Sequence, residues 1–137
     1  MEQSIKRCAH IDAIEFLNSS FQELSSVQTS YDIVTCSLFT HHFYGDDLLA
    51  LMNIMNEKSS IGFVINDLER NKIAWGSIFV LTRLLSKSYL VKHDAPLSVK
   101  RGFTKAEWHT ILQEAGVKNY TIDWCWAFRH CITSSHA

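Results

Sequence analysis

The hydrophobic residues of this chain alternate between two spacings, and this alternation constrains the fold more than any other feature. The runs YDIVTCSL (31–38) and IGFVINDL (61–68) are continuous and rich in β-formers, which is typical of strands buried on both faces. Between them the apolar residues recur at helical spacing, and Asp46 or Asp47 is the predicted N-cap. Strands that alternate with helices predict an α/β domain with a mainly parallel sheet.

The next part of the chain is predicted to hold two more helices. Residues 72–87 are apolar nearly all round and predict a helix, followed by a loop over 88–102. Thr104 and Glu107 have the spacing of a capping box, and the helix that they start is expected to stop at Gly116. Phe103 is expected to staple against Trp108.

Weaker signals lie towards both termini. Residues 3–10 are a candidate helix, and AIEFL (13–17) has strand character. YTIDWCW (120–126) and FRHCIT (128–133) predict an antiparallel hairpin at the end of the sheet, with Ala127 near the junction. Because no repeat, low-complexity tract or linker interrupts the sequence, we expect one domain over residues 1–137.

Composition excludes several classes of protein. With 137 residues, 47% of them hydrophobic and 20% charged, the chain is of the globular and not the disordered class. A net charge of -1 gives no basic field for nucleic acid or an anionic membrane. No apolar signal region or spanning segment is found, and the four cysteines form no C-x-x-C pair, so we expect a cytoplasmic protein with reduced thiols.

Polar residues follow directly after the predicted strands. Cys36 and Ser37 end the first strand shortly before the pair His41-His42, and Asn66 and Asp67 end the second. The carboxyl ends of strands in α/β sheets line the crevice in which ligands usually bind. A histidine can act as a base near neutral pH, and an aspartate can orient it, so this edge of the sheet is a candidate ligand site.

Each of these signals also has a structural interpretation. A histidine pair after a strand is often a surface or capping feature, and Asn66 and Asp67 could form a turn or a helix cap. Cys36 could be a small buried side chain. A metal site is disfavoured, since neighbouring side chains such as His41 and His42 point apart.

Three stretches together resemble a known family. YDIVTCSLFTHHF, INDLERNKIAWGSIFVLTRLLS and VKHDAPLSVKRGFTKAEW are similar to the carboxyl-terminal two thirds of class I S-adenosylmethionine-dependent methyltransferases of the UbiE-like group, over about residues 13–132. The resemblance implies S-adenosylmethionine as cofactor and a partial Rossmann-like sheet with helices on both faces. It also implies methyl transfer to oxygen or carbon of a small, hydrophobic acceptor.

The sequence departs from that family where the cofactor motif is expected. The family begins with a strand and a G-x-G-x-G turn, but the five glycines of this chain are widely separated. The resemblance therefore implies a truncated or split enzyme in which the YDIVTCSL strand has an exposed edge. We expect a second copy or another chain to cover that edge; the alternative function is a non-catalytic remnant or interaction subunit.

The resemblance also assigns roles to the residues that are present. The apolar helix over 73–85 is interpreted as a lid over the acceptor, although a core helix or a contact with a partner chain would share its pattern. The implied catalytic residues are His41, His42 and Asp67, the implied cofactor-binding residues are Ser20, Phe21, Cys36, Ser37 and Leu38, and the implied substrate-binding residues are Asn66, His93, Asp94 and Arg101.

Overall fold

The computed structural model describes residues 14–136 of the chain, which contain a four-stranded sheet and four α-helices. The strands are β1 (Tyr31–Ser37), β2 (Ser59–Leu68), β3 (Tyr120–Cys125) and β4 (Arg129–Ser134). The helices are α1 (Gly45–Lys58), α2 (Lys72–Leu85), α3 (Tyr89–Arg101) and α4 (Lys105–Glu114). Two short 3₁₀ turns span Glu23–Ser26 and Thr40–His42. Each helix within this part of the chain is too short or too polar to cross a bilayer.

The sheet is mixed, with the strand order β1-β2-β4-β3. β1 and β2 are parallel and joined by α1, whereas β4 runs antiparallel to both of its neighbours. The α/β class and the closing hairpin are therefore confirmed. The prediction of a mainly parallel sheet is wrong for the described strands. The second strand of the hairpin, β4, lies between β2 and β3 and runs antiparallel to both.

The hydrophobic core lies on one face of the sheet, where α1 and α4 pack. The central strands present alternate residues to it, among them Phe63, Ile65 and Ile132, all fully buried. The side chains of α1 and α4 fill the space opposite at helical spacing. The buried core residues are Leu48, Leu51, Met52, Met55, Phe63, Ile65, Phe103, Trp108, Leu112, Val117, Ile122 and Ile132.

Strand β1 lies at the edge of the sheet. The strand itself is confirmed, but its burial on both faces is wrong, since Tyr31 and Ile33 are 51% and 55% exposed. Within residues 14–136 it pairs only with β2, and α1 covers the face that carries Val34 and Cys36. The second face is not covered in the same way, since α2 and α3 pack mainly against each other and the second-face residues Val64 and Asn66 of β2 are only half-buried.

A helix replaces the loop predicted over 88–102. Pro96 lies inside α3, where it removes one backbone hydrogen bond at a cost of about 3 kcal/mol. Ser88 caps the start of α3 by accepting a hydrogen bond from the N–H of Val91. Packing against α2 and against the Thr40–His42 turn offsets the cost, and Pro96 itself is buried.

Several predicted boundaries are confirmed. Thr104 and Glu107 form both hydrogen bonds of the capping box, and the Phe103 and Trp108 rings meet edge to face with centroids 5.1 Å apart. Gly116 follows α4 with φ of 69°, the left-handed conformation that glycine adopts at low cost.

Other local predictions need correction. Helix α1 begins at Gly45, with Tyr44 in the cap position, so Asp46 and Asp47 lie in the first turn. Their negative charges interact favourably with the helix dipole there. Residues 14–17 of AIEFL form no strand in the described structure. The candidate helix over 3–10 lies outside the described residues.

Candidate active site

The carboxylate of Asp67, at the end of β2, accepts four hydrogen bonds in a fully buried position. Oδ2 accepts from the Thr40 hydroxyl and, at 3.0 Å, from the His41 backbone N–H. Oδ1 accepts from His41 Nδ1 at 2.6 Å and from the Leu68 N–H at 2.7 Å. Burial by itself would raise the pKa of Asp67, but the hydrogen bonds from His41, Thr40 and Leu68 outweigh it and hold the pKa below its usual value. Asp67 is thus a buried anion whose acceptor sites are filled by donors.

His41 is held in one orientation by this carboxylate. Leu38, with φ of 51°, turns the chain at the end of β1, and the following 3₁₀ turn places His41 over Asp67. His41 is only 3% exposed, and because Nδ1 faces an ionised carboxylate it carries the proton. The other ring nitrogen, Nε2, is therefore the proton acceptor of the neutral ring, and no residue between 14 and 136 hydrogen-bonds it. This is the arrangement of an oriented general base.

His42 occupies a different environment from its neighbour. Its side chain is exposed, and its ring lies beside that of His41 with centroids 4.4 Å apart. Both rings line the same cavity, but only His41 bonds to Asp67. Of the three residues predicted to be catalytic, the fold therefore brings His41 and Asp67 into direct contact and leaves His42 at the rim.

An apolar cavity of about 610 Å³ opens beside the two histidines, within the usual size range of small-molecule sites. Ala74, Ile78 and Leu81 line it from α2 at helical spacing, and Ala95 and Val99 line it from α3. The helix predicted as a lid therefore lines a cavity, and its role as a lid over an acceptor stays a prediction. The remaining lining residues are Leu38, Leu68, Ser77, Ser98, Ala127, Phe128 and Arg129.

Backbone strain is concentrated around this cavity. Leu38, Ala127 and Phe128 are the non-glycine residues with positive φ in the described part of the chain, with values of 51°, 65° and 54°. All three line the cavity, although they come from the end of β1 and from the β3–β4 turn. Strained backbone persists where the surrounding structure enforces it, and it is frequent at functional sites.

The predicted cofactor-binding residues are divided between several environments. Leu38 lines the large cavity, whereas Phe21 and Cys36 line a separate apolar cavity of about 190 Å³. Burial, with a smaller effect of Asp67, raises the pKa of the Cys36 thiol to about 11, so it is no thiolate nucleophile near neutral pH. Ser20 donates its backbone N–H to Glu23 at 2.9 Å, and Ser37 is exposed at the carboxyl end of β1.

The predicted substrate-binding residues are not brought together. His93 and Asp94 contact each other at 3.1 Å on an exposed part of α3, and Arg101 lies near its end. None of these three lines the large cavity, whose α3 wall is Ala95, Ser98 and Val99. Asn66 lies near the end of β2 and has a buried Oδ1 without a partner among the described residues. The role of all four stays a prediction.

Two residues next to Asp67, Thr40 and His130, were not identified from the sequence. The Thr40 hydroxyl bonds the carboxylate, a role that its position directly before two histidines could have suggested. His130 is paired with Asp67 in the β2–β4 register and is buried, and neither of its nitrogens has a partner in the described structure. Burial lowers the pKa of His130. No sequence signal identified His130, because its position depends on the pairing of distant strands.

Residues 14–136 contain no group of three or more side chains suited to bind a metal ion.

Comparison of the sequence with protein-family models and with curated proteins finds no match. Solved structures do match the fold. An O-methyltransferase family protein from Burkholderia thailandensis matches with a TM-score of 0.63 and 9% identity, over 98% of this chain and 39% of its own. A SAM-dependent methyltransferase from Aquifex aeolicus matches with a TM-score of 0.64 and 10% identity, over 99% of this chain and 61% of its own. The plantazolicin methyltransferase BpumL, in complex with a pentazolic desmethylPZN analog and SAH, matches with a TM-score of 0.67 and 12% identity, over 100% of this chain and 65% of its own.

These similarities concern the fold and only part of the compared proteins. The chain spans between 39% and 65% of the length of those three structures. At sequence identities of 9 to 12%, the likeness concerns the fold alone. The resemblance noted in the sequence is thereby confirmed at the level of architecture: the chain has the fold of part of an S-adenosylmethionine-dependent methyltransferase.

Proposed function

We propose that this chain carries the acceptor-binding and proton-accepting part of an S-adenosylmethionine-dependent methyltransferase acting on a small, largely apolar molecule. The observation that carries the proposal is the buried His41–Asp67 pair on the wall of an apolar cavity. The fold shared with methyltransferases, one of them in complex with SAH, supports the same reaction class.

His41 is the proposed general base. The acceptor lies in the cavity with its nucleophilic group near Nε2 of His41, and it loses its proton to that nitrogen. The carboxylate of Asp67 holds the ring and stabilises the imidazolium that forms, because the two groups are 2.6 Å apart and the carboxylate is buried. Ala74, Ile78 and Leu81 of α2 exclude water from the acceptor. When bound, S-adenosylmethionine supplies the electrophilic methyl group.

The described residues form at most one side of a cofactor site. Ser37 and Leu38, at the carboxyl end of β1, are the residues proposed to meet the methionine part. Ser20 and Phe21, predicted to hold the adenine, are engaged by Glu23 and by the Phe43 ring, whose centroid is 4.7 Å from that of Phe21. We propose that the remaining side is supplied by a second copy or another chain that covers the open edge of β1.

The open edge also favours a second candidate function, a non-catalytic interaction subunit. An exposed strand edge with Tyr31 and Ile33 at the surface is suited to pair with another strand. On this alternative the cavity and the histidine pair persist without cofactor chemistry. The two functions differ in whether any assembly of the chain binds cofactor.

Calorimetric titration with S-adenosylhomocysteine, with the oligomeric state measured on the same sample by sedimentation, tests the proposal. We expect a dissociation constant in the micromolar range for the assembly in which the β1 edge is covered. ATP, which shares the adenosine part but lacks the methionine part, is the control ligand and is expected not to bind. Absence of binding at millimolar S-adenosylhomocysteine in every oligomeric state would overturn the enzyme proposal in favour of the interaction subunit.

A further inference from the structure

Arg129 is a charged residue in the wall of the proposed acceptor cavity, which is otherwise mostly apolar. It begins β4, directly after the strained residues Ala127 and Phe128, and it is paired with Leu68 in the β2–β4 register. Leu68 and Arg129 both line the cavity beside His41. Arg129 was not identified from the sequence, where it lies within the predicted strand FRHCIT.

The guanidinium of Arg129 has no compensating anion in the described structure. Its Nε is buried and makes no hydrogen bond, and none of the ion pairs formed within residues 14–136 involves it. An arginine does not lose its proton in a protein, so a half-buried guanidinium keeps a charge that prefers an anionic partner. Burial of an unpaired charge and an unpaired N–H donor costs free energy unless a ligand supplies the missing partner.

The acidic residues around Arg129 are engaged elsewhere. Glu69, which follows β2, accepts hydrogen bonds from Trp124 Nε1 at 3.0 Å and from Asn71 Nδ2 at 3.5 Å. Asp67 lies on the core face of β2, where its four hydrogen-bond donors come from Thr40, His41 and Leu68. The fold therefore supplies an oriented base and a free guanidinium to the same cavity.

We propose that Arg129 determines the specificity of the cavity by binding a carboxylate on the acceptor, which is an amphipathic organic acid with an apolar body. The guanidinium fork matches a carboxylate in two parallel hydrogen bonds, and the apolar residues of α2 and α3 contact the body. The inference rests on the proposed function for the statement that the bound acid is a methyl acceptor. The binding of the acid itself is independent of methyl transfer.

Two ligands that differ by one carboxylate test this proposal. Calorimetric titration with a hydroxynaphthoate and with naphthol compares the same apolar body with and without the anion. We expect the native chain to bind the hydroxynaphthoate about 10- to 100-fold more tightly, the range for a charge-assisted hydrogen-bonded pair. Arg129→Gln should lose most of this preference and leave the affinity for naphthol unchanged.

Arg70→Gln is the matched control, because Arg70 pairs with Glu107 at the surface and does not line the cavity. Its preference for the hydroxynaphthoate should remain. Thermal unfolding of both variants establishes that they are folded before titration. Equal affinities of the native chain for the two ligands, absence of hydroxynaphthoate binding at millimolar concentration, or an unchanged preference in Arg129→Gln would each overturn the proposal.

The methionine part of the cofactor also carries a carboxylate, and a further titration distinguishes this source. If Arg129→Gln weakens S-adenosylhomocysteine binding but not hydroxynaphthoate binding, Arg129 recognises the cofactor and the acceptor proposal is overturned. If the chain binds no S-adenosylhomocysteine yet selects the hydroxynaphthoate through Arg129, the methyltransferase function fails while the organic-acid site stands.

Discussion

At the scale of single residues, the two adjacent histidines differ because of one hydrogen bond. His41 turns inward to Asp67 and is almost fully buried, whereas His42 remains at the surface. The buried carboxylate fixes the tautomer of His41 and leaves Nε2 free for a proton. No residue between 14 and 136 orients the His42 ring through a comparable hydrogen bond, so its contribution is expected to be contact with the ligand.

Substituting each histidine separately tests this difference. His41→Gln should reduce kcat for methyl transfer by about 10²- to 10⁴-fold, the usual contribution of a general base, while His42→Gln should reduce it less than about 10-fold. The measurement is the initial rate of S-adenosylhomocysteine release by the complete assembly. A larger loss in His42→Gln than in His41→Gln would assign the base to His42.

Asp67→Asn tests the electrostatic role of the buried carboxylate. Each carboxylate oxygen accepts from two donors, so the amide NH₂ must face two donors in either orientation. We expect a loss of about 3 kcal/mol in the free energy of unfolding at pH 7. Because the folded-state pKa of Asp67 is lowered, its stabilisation is complete above the unfolded value of about 3.9 and is lost as the pH falls through the folded value.

The difference between the native chain and Asp67→Asn should therefore narrow below about pH 4. Denaturant unfolding of both proteins at neutral and at acidic pH measures it. Glu23 and Glu107, whose pKa values are also lowered, titrate in both proteins and cancel in the comparison. A difference that stays constant down to low pH would show that Asp67 does not contribute as an anion.

At the scale of elements, the cavity depends on how α3 ends against β2. Gly102 follows α3, and its N–H caps the helix by bonding to the carbonyls of Ser98 and Val99. A Cβ at position 102 would lie 2.4 Å from the Leu68 carbonyl oxygen, which is backbone and cannot move aside. Glycine is thus required by close packing of two backbones, and this contact places the α3 wall of the cavity beside the end of β2.

Gly102→Ala should therefore destabilise the fold, by about 2 kcal/mol as for other overpacked sites, and weaken ligand binding in the cavity. Gly76→Ala is the control, because it lies within α2 with no atom within 4 Å of the added Cβ. Alanine there should raise stability by about 1 kcal/mol through helix propensity. Thermal or denaturant unfolding compares the two; equal effects would mean that the contact with Leu68 is not limiting.

At the scale of the whole molecule, the open side of the sheet dominates. Among the described strands β1 has one neighbour, β2, and its Tyr31 and Ile33 side chains are exposed. Such an edge is a ready template for another strand. The chain spans 39% and 61% of the length of two structures that share its fold.

We predict that the purified chain self-associates at micromolar concentration through this edge. Ile33→Lys should reduce the association, because natural edge strands use charged residues to prevent pairing. Ile73→Lys, at a position 70% exposed on α2, is the control and should leave association unchanged. Sedimentation velocity over a range of concentrations measures both variants. A stable monomer, or an effect confined to Ile73→Lys, would exclude self-association through β1.

The elements that could be predicted from the amino-acid sequence are those whose signals are local. The capping box of Thr104 and Glu107, the stop at Gly116 and the antiparallel hairpin depend on neighbouring residues, so they were predictable. The polar ends of β1 and β2 also identified the region of His41 and Asp67, because parallel strands bring their carboxyl ends to one edge.

Which residues meet, and which surfaces stay open, could not be predicted because both depend on tertiary contacts. The 3₁₀ turn Thr40–His42 orients His41, and not His42, towards Asp67. Packing against α2 makes α3 a helix despite Pro96. Tertiary contacts also bring Arg129 into the cavity and leave β1 at the edge of the sheet. These outcomes depend on contacts between residues far apart in the chain, whose free energies no local pattern of amino acids encodes.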